Sequence, residues 1–201
     1  GSNRLGGNGG DKSTVYGGIA GDVMGADIRA MLGLRDPDPD VLEAEIARAC
    51  RPFGKTIGAV HPLRHKLQEA MWDNAGVMRT ADKLTLAMRQ VADIGAELME
   101  TGVAFDNLAF NLTWHDWLNM ASLCDVSTVI AQAALARENS RGAHYREDFP
   151  DEGDLETSYF TVARQDGDSV AVTREPVKFT IVRPGGTILP EGEPDTLVAA
   201  Q

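Results

Sequence analysis

The stretch DKLTLAMRQVADIGAELME, residues 82–100, has the clearest periodicity in the sequence. Its apolar or small residues recur every three or four positions, at Leu84, Met88, Val91, Gly95 and Leu98. This spacing places them on one face of a helix, and Gly102 is a suitable residue to end it. The stretch therefore predicts a helix with one buried face, which needs partner helices to cover it.

Further helical periods lie on both sides of this stretch. A long apolar segment from Trp117 to Leu135 predicts a second core helix, antiparallel to the first. Apolar residues at helical spacing in 41–50 and 63–71 predict two shorter helices, separated by a break over 53–62. An Asp-Pro-Asp-Pro-Asp run at 36–40 is suited to cap the first of these. The fold class we expect is mainly α, a helical bundle of the spectrin-repeat-like three-helix type.

Past Pro150 the pattern changes to short alternating runs rich in β-branched residues, at 159–162, 170–173 and 178–182. The Asp166-Gly167 pair between the first two runs is a strong hairpin signal. We therefore predict a small C-terminal β-hairpin element, followed by a loose tail from residue 184.

Composition excludes some functions. The chain has 201 residues, 43% of them hydrophobic, and its 30 acidic against 19 basic residues give a net charge of -11. Such a charge argues against a surface that neutralises nucleic acid. No uninterrupted apolar run approaches membrane-spanning length. Cys50 and Cys124 lie in apolar helical stretches, so we expect reduced thiols and a reducing compartment.

Residues 1–10 contain five glycines and one charged side chain, Arg4. A guanidinium among glycines can bind a carboxylate or phosphate in bidentate fashion, although an exposed Arg in a flexible N-terminus is the simpler interpretation. Asn8, Gly9 and Gly10 precede a candidate helix whose first N–H groups could contact an electron-rich ligand. The spacing matches neither a dinucleotide fingerprint nor a P-loop.

A second dense motif, residues 137–150, contains three arginines, three acids, a histidine and a glycine at the end of the second core helix. The composition fits a solvated charged turn, with Gly142 as a helix cap, equally as well as a polar network that fixes the loop against another surface. Among these residues Arg141, His144 and Arg146 are the candidates for the network.

Two aromatic or histidine groups are better explained by packing. His61 and His65 are four residues apart, but Pro62 lies between them and no glutamate follows His61, so we predict no metal site. Trp114, His115 and Trp117 lie at a helix start, where aromatic packing is the ordinary explanation.

Together the two motifs resemble the succinate dehydrogenase and fumarate reductase flavoprotein family. Residues 1–8 (GSNRLGGN), with TVYG at 14–17 and Ala20-Gly21, are similar to the loop and helix that close the family's flavin site. Residues 138–150 (ENSRGAHYREDFP) resemble a segment at the end of its C-terminal helical domain, with Asn139 inserted. The intervening GVMR at 76–79 also matches in order and spacing.

The resemblance implies roles for individual residues. Arg4 corresponds to an arginine that binds a carboxylate of the dicarboxylate substrate. Asn8, Gly9 and Gly10 correspond to the cofactor-binding residues, with backbone contacts from the two glycines to the flavin ring. For Arg141, His144 and Arg146 it implies a structural or interface role near the flavin domain, and no catalytic residue is expected in this chain.

The resemblance also implies an organisation. Residues 1–34 would be the end of an FAD-binding domain, 35–150 a helical C-terminal domain and 151–201 a small β element with its tail. FAD would be bound mainly by an N-terminal portion outside these residues, so the chain alone is expected to be inactive. The expected partners are that portion, an iron–sulfur subunit and a dicarboxylate, in the cytoplasm or peripherally on the inner face of a membrane.

Two alternatives remain open from the sequence. The chain could be a non-catalytic helical interaction module that docks on a flavoprotein or iron–sulfur subunit. It could equally belong to an L-aspartate oxidase-like enzyme or another flavin reductase, because the residues that select substrate would lie outside it.

Overall fold

The computed structural model describes residues 8–31, 36–167 and 169–187. These residues form five helices and a two-stranded antiparallel sheet: α1 (Asn8–Ala30), α2 (Pro39–Ala49), α3 (Val60–Ala75), α4 (Ala81–Glu100), α5 (Leu112–Ala136), β1 (Tyr159–Asp166) and β2 (Ser169–Pro176).

Helices α3, α4 and α5 pack against one another as an up-down-up bundle. Lys66 and Asn74 of α3 pair with Glu97 and Gln90 of α4, at 2.6 and 2.9 Å, so these two helices run antiparallel. The Trp117 indole N–H of α5 donates to the Leu98 carbonyl of α4 at 3.1 Å. The predicted three-helix fold class is therefore confirmed.

The bundle core has two clusters of buried side chains. The larger one lies around Trp117, whose side chain is 1% exposed and whose indole N–H also reaches the Thr101 carbonyl. It comprises Leu63, Leu67, Val91, Ile94, Leu98, Val103, Trp117, Met120, Ala121 and Cys124. The smaller cluster comprises Ala75, Leu84, Ala87, Ala131 and Ala134. Small residues here let the helices approach closely at the end where α5 finishes.

Side chains cap three of the helices. Asp38 accepts the Asp40 N–H at the start of α2, as the Asp-Pro run predicted. Thr80 caps α4 and Asn111 caps α5 through the Trp114 N–H. Helix α5 consequently begins at Leu112, earlier than the apolar segment from Trp117 indicated, because the Asn111 cap fixes its first turn.

The hairpin is confirmed, with Tyr159 opposite Pro176 and Asp166 opposite Ser169. It packs on α5, where the Arg174 guanidinium donates to the Ala136 carbonyl at 2.8 Å. The third apolar run, 178–182, is not a strand. Strand β2 ends at Pro176, which has no backbone N–H with which to continue the ladder.

Helix α5 is long and apolar enough to cross a membrane by length and composition alone. The buried face of α5 packs against α3, α4 and the hairpin, as the core helix of a bundle requires. Cys124 on this face is a buried free thiol, and burial with the nearby Asp125 raises its pKa to about 11. Cys50, after α2, is also free.

Helix α1 differs from the bundle helices because it buries none of its described side chains. Its apolar residues are exposed at Val15, Tyr16, Ile19, Val23, Met24 and Ile28. Four glycines lie among them at 17, 18, 21 and 25, so the helix has little propensity of its own. Such a helix gains its stability from a surface that covers it.

Replacing Gly102 with alanine is expected to destabilise the chain by about 1–3 kcal/mol, because a Cβ would lie 2.5 Å from the Lys55 carbonyl oxygen and 2.9 Å from that of Thr56. The Thr56 oxygen is held in place, since its carbonyl accepts the Gly102 N–H at 2.8 Å, and the Lys55 oxygen belongs to the adjacent backbone. Chemical denaturation measures the change. Gly95→Ala is the control: no atom lies within 4 Å of its Cβ, so we expect a gain of about 0.5–1 kcal/mol. Equal stability of the two variants would contradict this packing.

Candidate functional site

The residues singled out from the sequence lie on two different elements. Arg4 lies outside the described residues. Gly9 and Gly10 are exposed in the first turn of α1, which begins at Asn8. Arg141, His144 and Arg146 lie on the loop that follows α5, where Arg146 and His144 contact the end of α5 and Arg141 contacts the segment before β1. The structure thus brings the second group together, whereas Asn8, Gly9 and Gly10 lie in the first turn of α1.

The start of α1 presents accessible backbone. The first N–H groups of a helix have no intrahelical acceptor. The Gly9 and Gly10 carbonyls accept the Ser13 and Thr14 hydroxyls at 2.7 and 3.0 Å, so those hydroxyls bond back along the helix. A Cβ at Gly10 would meet nothing within 4 Å. Neither glycine has a side chain that would keep a flat ring from this backbone, so the residue types suit the flavin contact that the resemblance implies for them.

Arg146 is the most buried charged residue that the structure describes, with 1% of its side chain exposed. Its Nη1 donates to the carbonyls of Ala134 and Leu135 at 3.1 and 3.0 Å, and more weakly to that of Arg137 at 3.4 Å. These are carbonyls at the C-terminal end of α5, where the helix dipole favours a cation. Arg146 therefore closes this end of α5 from the following loop.

Asp148 links Arg146 to a second helix. Its carboxylate accepts Nε and Nη2 of Arg146 at 2.6 and 2.7 Å in bidentate geometry. It also accepts the Ala81 N–H at 2.8 Å, in the first turn of α4. The hydrogen bonds from Arg146 are the main cause that lowers the Asp148 pKa to about 2. One ion pair thus joins the C-terminal end of α5 to the N-terminal end of α4.

Arg79 and His144 form the other half of the cluster. Arg79 Nε donates to the carbonyls of Ala75 and Gly76 at 3.0 and 2.8 Å, which closes the end of α3. Its Nη1 lies 3.0 Å from Nδ1 of His144. A guanidinium only donates, so Nδ1 is the acceptor and the His144 proton is on Nε2, which faces the Arg137 carbonyl at 3.3 Å. His144 is therefore a neutral imidazole.

Burial is the main cause that lowers the His144 pKa, and the nearby cations Arg79, Arg137 and Arg146 lower it further. The bond to the Arg137 carbonyl acts in the opposite direction. Burial also lowers the pKa of Arg79. The structure therefore favours one charge arrangement, with a neutral imidazole between guanidinium groups.

Arg141 holds the loop to the segment that leads into β1. It donates from Nε, Nη1 and Nη2 to the Glu152 carbonyl at 2.5 Å, the Ser158 hydroxyl at 2.7 Å and the Asp154 carbonyl at 2.8 Å. Its backbone pairs with that of His144 in both directions, and Gly142 between them has a φ of 55°. That positive φ explains the glycine as a turn residue. It is not the helix cap considered from the sequence.

These contacts define the arginine cluster, which comprises Arg79, Arg137, Arg141, His144, Arg146 and Asp148. The cluster sits at one end of the bundle, and its hydrogen bonds run to helix ends and loop backbone. Its groups are arranged to position elements and to hold charge, and the solvated charged turn is excluded as an explanation for Arg146.

Three members of the cluster were not identified as site residues from the sequence. Arg79 follows the end of α3, Asp148 precedes Pro150, and Arg137 ends α5. A basic residue just after a helix is a signal for capping, and it could have identified Arg79. The contacts that join Arg79 to His144 and Asp148 to Ala81 link residues far apart in the sequence. A single sequence carries no signal for such contacts.

Acid is expected to destabilise the chain through His144. The folded pKa lies below the usual 6.5, so the unfolded chain takes up the proton first. The stabilisation is complete above pH 6.5 and is lost as the pH falls toward the folded value. Urea unfolding between pH 7.5 and 5.5 measures the slope. His144→Gln is expected to flatten it, whereas His115→Gln, at an exposed residue, keeps it. An unchanged slope in His144→Gln would contradict this assignment.

The start of α1 and the arginine cluster differ in what they can bind. Backbone N–H groups at the start of α1 can stabilise negative charge on a bound ring. The arginine cluster binds helix ends. Among the residues that the structure describes, no three His, Cys, Asp or Glu side chains form a group that could hold a metal ion.

Comparison with known proteins gives a consistent result. The family model described as "Fumarate reductase flavoprotein C-term" matches residues 64–191, which run from the second turn of α3 to beyond the hairpin. A subunit of the fumarate reductase (CoM/CoB) of Methanothermobacter marburgensis is 32% identical over 153 residues, covering 75% of this chain and 27% of its own length. A succinate dehydrogenase flavoprotein subunit of Coxiella burnetii is 30% identical over 169 residues, covering 83% and 29%.

A solved structure shows the same fold. Mycobacterium smegmatis Sdh1, in complex with UQ1, superposes with a TM-score of 0.69 at 24% identity, over 79% of this chain and 27% of that one. The chain therefore spans about 27–29% of the length of these relatives.

Proposed function

Since this chain belongs to the family described as fumarate reductase flavoprotein C-term, we propose that it forms the C-terminal part of an FAD-dependent oxidoreductase. The reaction proposed for the complete enzyme is hydride transfer between flavin and a C–C bond of a dicarboxylate. The family consists of flavoproteins of the succinate dehydrogenase and fumarate reductase type, which are oxidoreductases.

The observation on which the proposal rests is the extent of the family match. It covers most of α3, all of α4 and α5, the arginine cluster and the hairpin, at residues 64–191. The chain nevertheless spans only 27% of the first relative. We infer that the flavin site is built mainly by an N-terminal portion, and that this chain contributes no catalytic residue and is inactive alone.

The chain's own contribution to the flavin site is the glycine-rich segment. Gly9 and Gly10 would hold the ring edge through backbone N–H groups, helped by Asn8, and Arg4 would bind one substrate carboxylate. Flavin, when bound, supplies the two-electron acceptor or donor for the reaction. An arginine suits the substrate role because its fork matches a carboxylate and stays charged at every working pH.

The proposed organisation keeps residues 1–34 with the FAD-binding domain, 35–150 as the helical domain and 151–201 as the β element. The separation of α1 from the bundle core supports the first boundary, because α1 buries none of its described side chains. Arg141, His144 and Arg146 are proposed to stabilise the helical domain at an interface near the flavin domain.

The partners proposed are the N-terminal FAD-binding portion, an iron–sulfur subunit and a dicarboxylate substrate. The complete enzyme would then take part in electron transport, in the cytoplasm or on the inner face of a membrane through its partner subunits. One structural neighbour, a quinol-fumarate reductase with menaquinol molecules, supports a place in quinone-linked electron transfer.

The visible spectrum of the purified 201-residue chain with added FAD tests the proposal. After gel filtration we expect no flavin to remain with the chain, because residues 1–10 alone offer a few backbone contacts. Folding is verified in the same sample by far-ultraviolet circular dichroism. Stoichiometric flavin retained by the chain alone would contradict the proposed division.

A further inference from the structure

The connection from α4 to α5 exposes several large apolar side chains to solvent. Phe105, Leu108, Phe110 and Leu112 are all exposed, and Phe110 is fully so. We call residues 104–112 the apolar loop. Ile57, exposed on the neighbouring segment, pairs by backbone with Gly102 just before this loop. A group of exposed apolar residues of this kind is typical of an interaction surface.

Asn111, whose side chain is 2% exposed, holds the backbone of the apolar loop in place. Its Nδ2 donates to the carbonyls of Phe105 and Asn107 at 2.8 and 3.0 Å. Its Oδ1 accepts the Thr113 hydroxyl at 2.8 Å and the Trp114 N–H at 3.0 Å. The loop is thus tied to the first turn of α5, so its apolar side chains are presented outward by a fixed backbone.

Phe110 adds a second, independent observation. Its φ is 55°, and it is the only positive φ of a non-glycine residue within the described ranges. Large side chains rarely adopt this conformation, which persists where surrounding structure imposes it. Since the Phe110 ring is fully exposed, no contact within the described chain offsets the strain. The strained backbone together with the exposed ring therefore indicates that Phe110 contacts a surface outside the bundle.

The path of the chain indicates which surface the Phe110 ring contacts. Helix α2 ends beside the apolar loop, because the Trp114 indole N–H donates to the Ala49 carbonyl at 2.7 Å. The Phe53 ring, in the turns after α2, lies 5.3 Å from that of Trp114. The segment N-terminal to the bundle therefore enters at this end, next to the apolar loop. In relatives about three times longer, a portion N-terminal to the match would be tethered here.

We propose that the apolar loop docks on the flavin-binding portion of the same flavoprotein, with the Phe110 ring inserted into an apolar recess of that portion. This inference rests on the proposed function, since that function supplies the occupant. The short tether through α2 raises the local concentration of that portion at the loop, which favours it over a separate molecule.

Photo-crosslinking in the complete flavoprotein tests the site. With p-benzoylphenylalanine in place of Phe110, we expect a crosslink to the flavin-binding portion, located by mass spectrometry. The same probe in place of Phe160, an exposed phenylalanine on β1, is the control and is expected to give no such crosslink. A crosslink from position 110 only to a second copy or to another subunit would overturn the proposal, as would no crosslink outside residues 36–187.

A matched pair of variants tests the energetics. Phe110→Asn removes the ring and suits the positive φ, so the isolated chain should melt at an equal or higher temperature. In the complete flavoprotein the same change should lower the melting temperature, because the ring's contact with the flavin-binding portion is lost. Phe160→Asn, the control, should change the melting temperature of the isolated chain and of the complete flavoprotein by the same amount. An equal effect of Phe110→Asn in both contexts would overturn the docking.

Flavin content, read from the visible spectrum of the complete flavoprotein, separates the two hypotheses. A complete flavoprotein that contains FAD but gives no crosslink at position 110 contradicts the docking surface alone. A complete protein without flavin contradicts the proposed function, and the docking inference with it.

Discussion

Replacing Arg146 with methionine is expected to lower the free energy of unfolding by about 3–5 kcal/mol. Methionine is unbranched and fills the part of the site occupied by the arginine stem, but it is shorter than arginine and donates no hydrogen bond. The Asp148 carboxylate then loses its bidentate partner, and the Ala134 and Leu135 carbonyls lose their donor at the end of α5. The guanidinium is 1% exposed, so water cannot replace it without opening the loop.

Urea denaturation at pH 7 measures this loss. Arg164→Met is the control, because its ion pair with Glu175 at 2.7 Å lies on the exposed hairpin surface. A surface pair of this kind contributes about 0–1 kcal/mol. If both variants lost the same small amount, the arginine cluster would not be a stabilising network.

Replacing Arg4 with alanine in the complete flavoprotein is expected to lower kcat/KM for the dicarboxylate at least about 100-fold while FAD stays bound. The substrate role proposed for Arg4 rests on the resemblance of residues 1–8 to the loop that closes the family's flavin site. Loss of a bidentate contact to a carboxylate removes two charge-assisted hydrogen bonds from the reacting substrate. The flavin remains because its contacts are proposed to come from backbone and from the N-terminal portion.

Steady-state turnover and the flavin absorbance of the same preparation separate these effects. Arg29→Ala, at an exposed arginine in the last turn of α1, serves as the control and is expected to keep both. Near-normal turnover in Arg4→Ala would remove Arg4 from the substrate site. Loss of flavin together with activity would assign Arg4 to the fold of the loop.

The bundle could be predicted because its helices bury one face at regular spacing. Leu84, Val91 and Leu98, which define the period of α4, are all buried in the structure. The hairpin was predictable from Asp166-Gly167, since that pair favours the backbone of a tight turn. The run at 178–182 was misleading, because β-branched residues alone do not supply a strand partner.

The site was predictable only in part. The density of charge in 137–150 indicated a polar network, and Arg146 is its buried centre. Its partners Arg79 and Asp148 depend on how three helix ends meet, which periodicity in one chain does not specify. The positive φ of Phe110 likewise could not be predicted, because the sequence has no glycine or proline there to indicate an unusual backbone.

The most direct test of the account is fumarate-dependent oxidation of a reduced viologen dye, measured in parallel for the 201-residue chain with added FAD and for the complete flavoprotein. We expect turnover by the complete flavoprotein and none by the chain alone. Turnover of fumarate by the chain alone, or the absence of any dicarboxylate turnover in the complete, flavin-loaded protein, would contradict it.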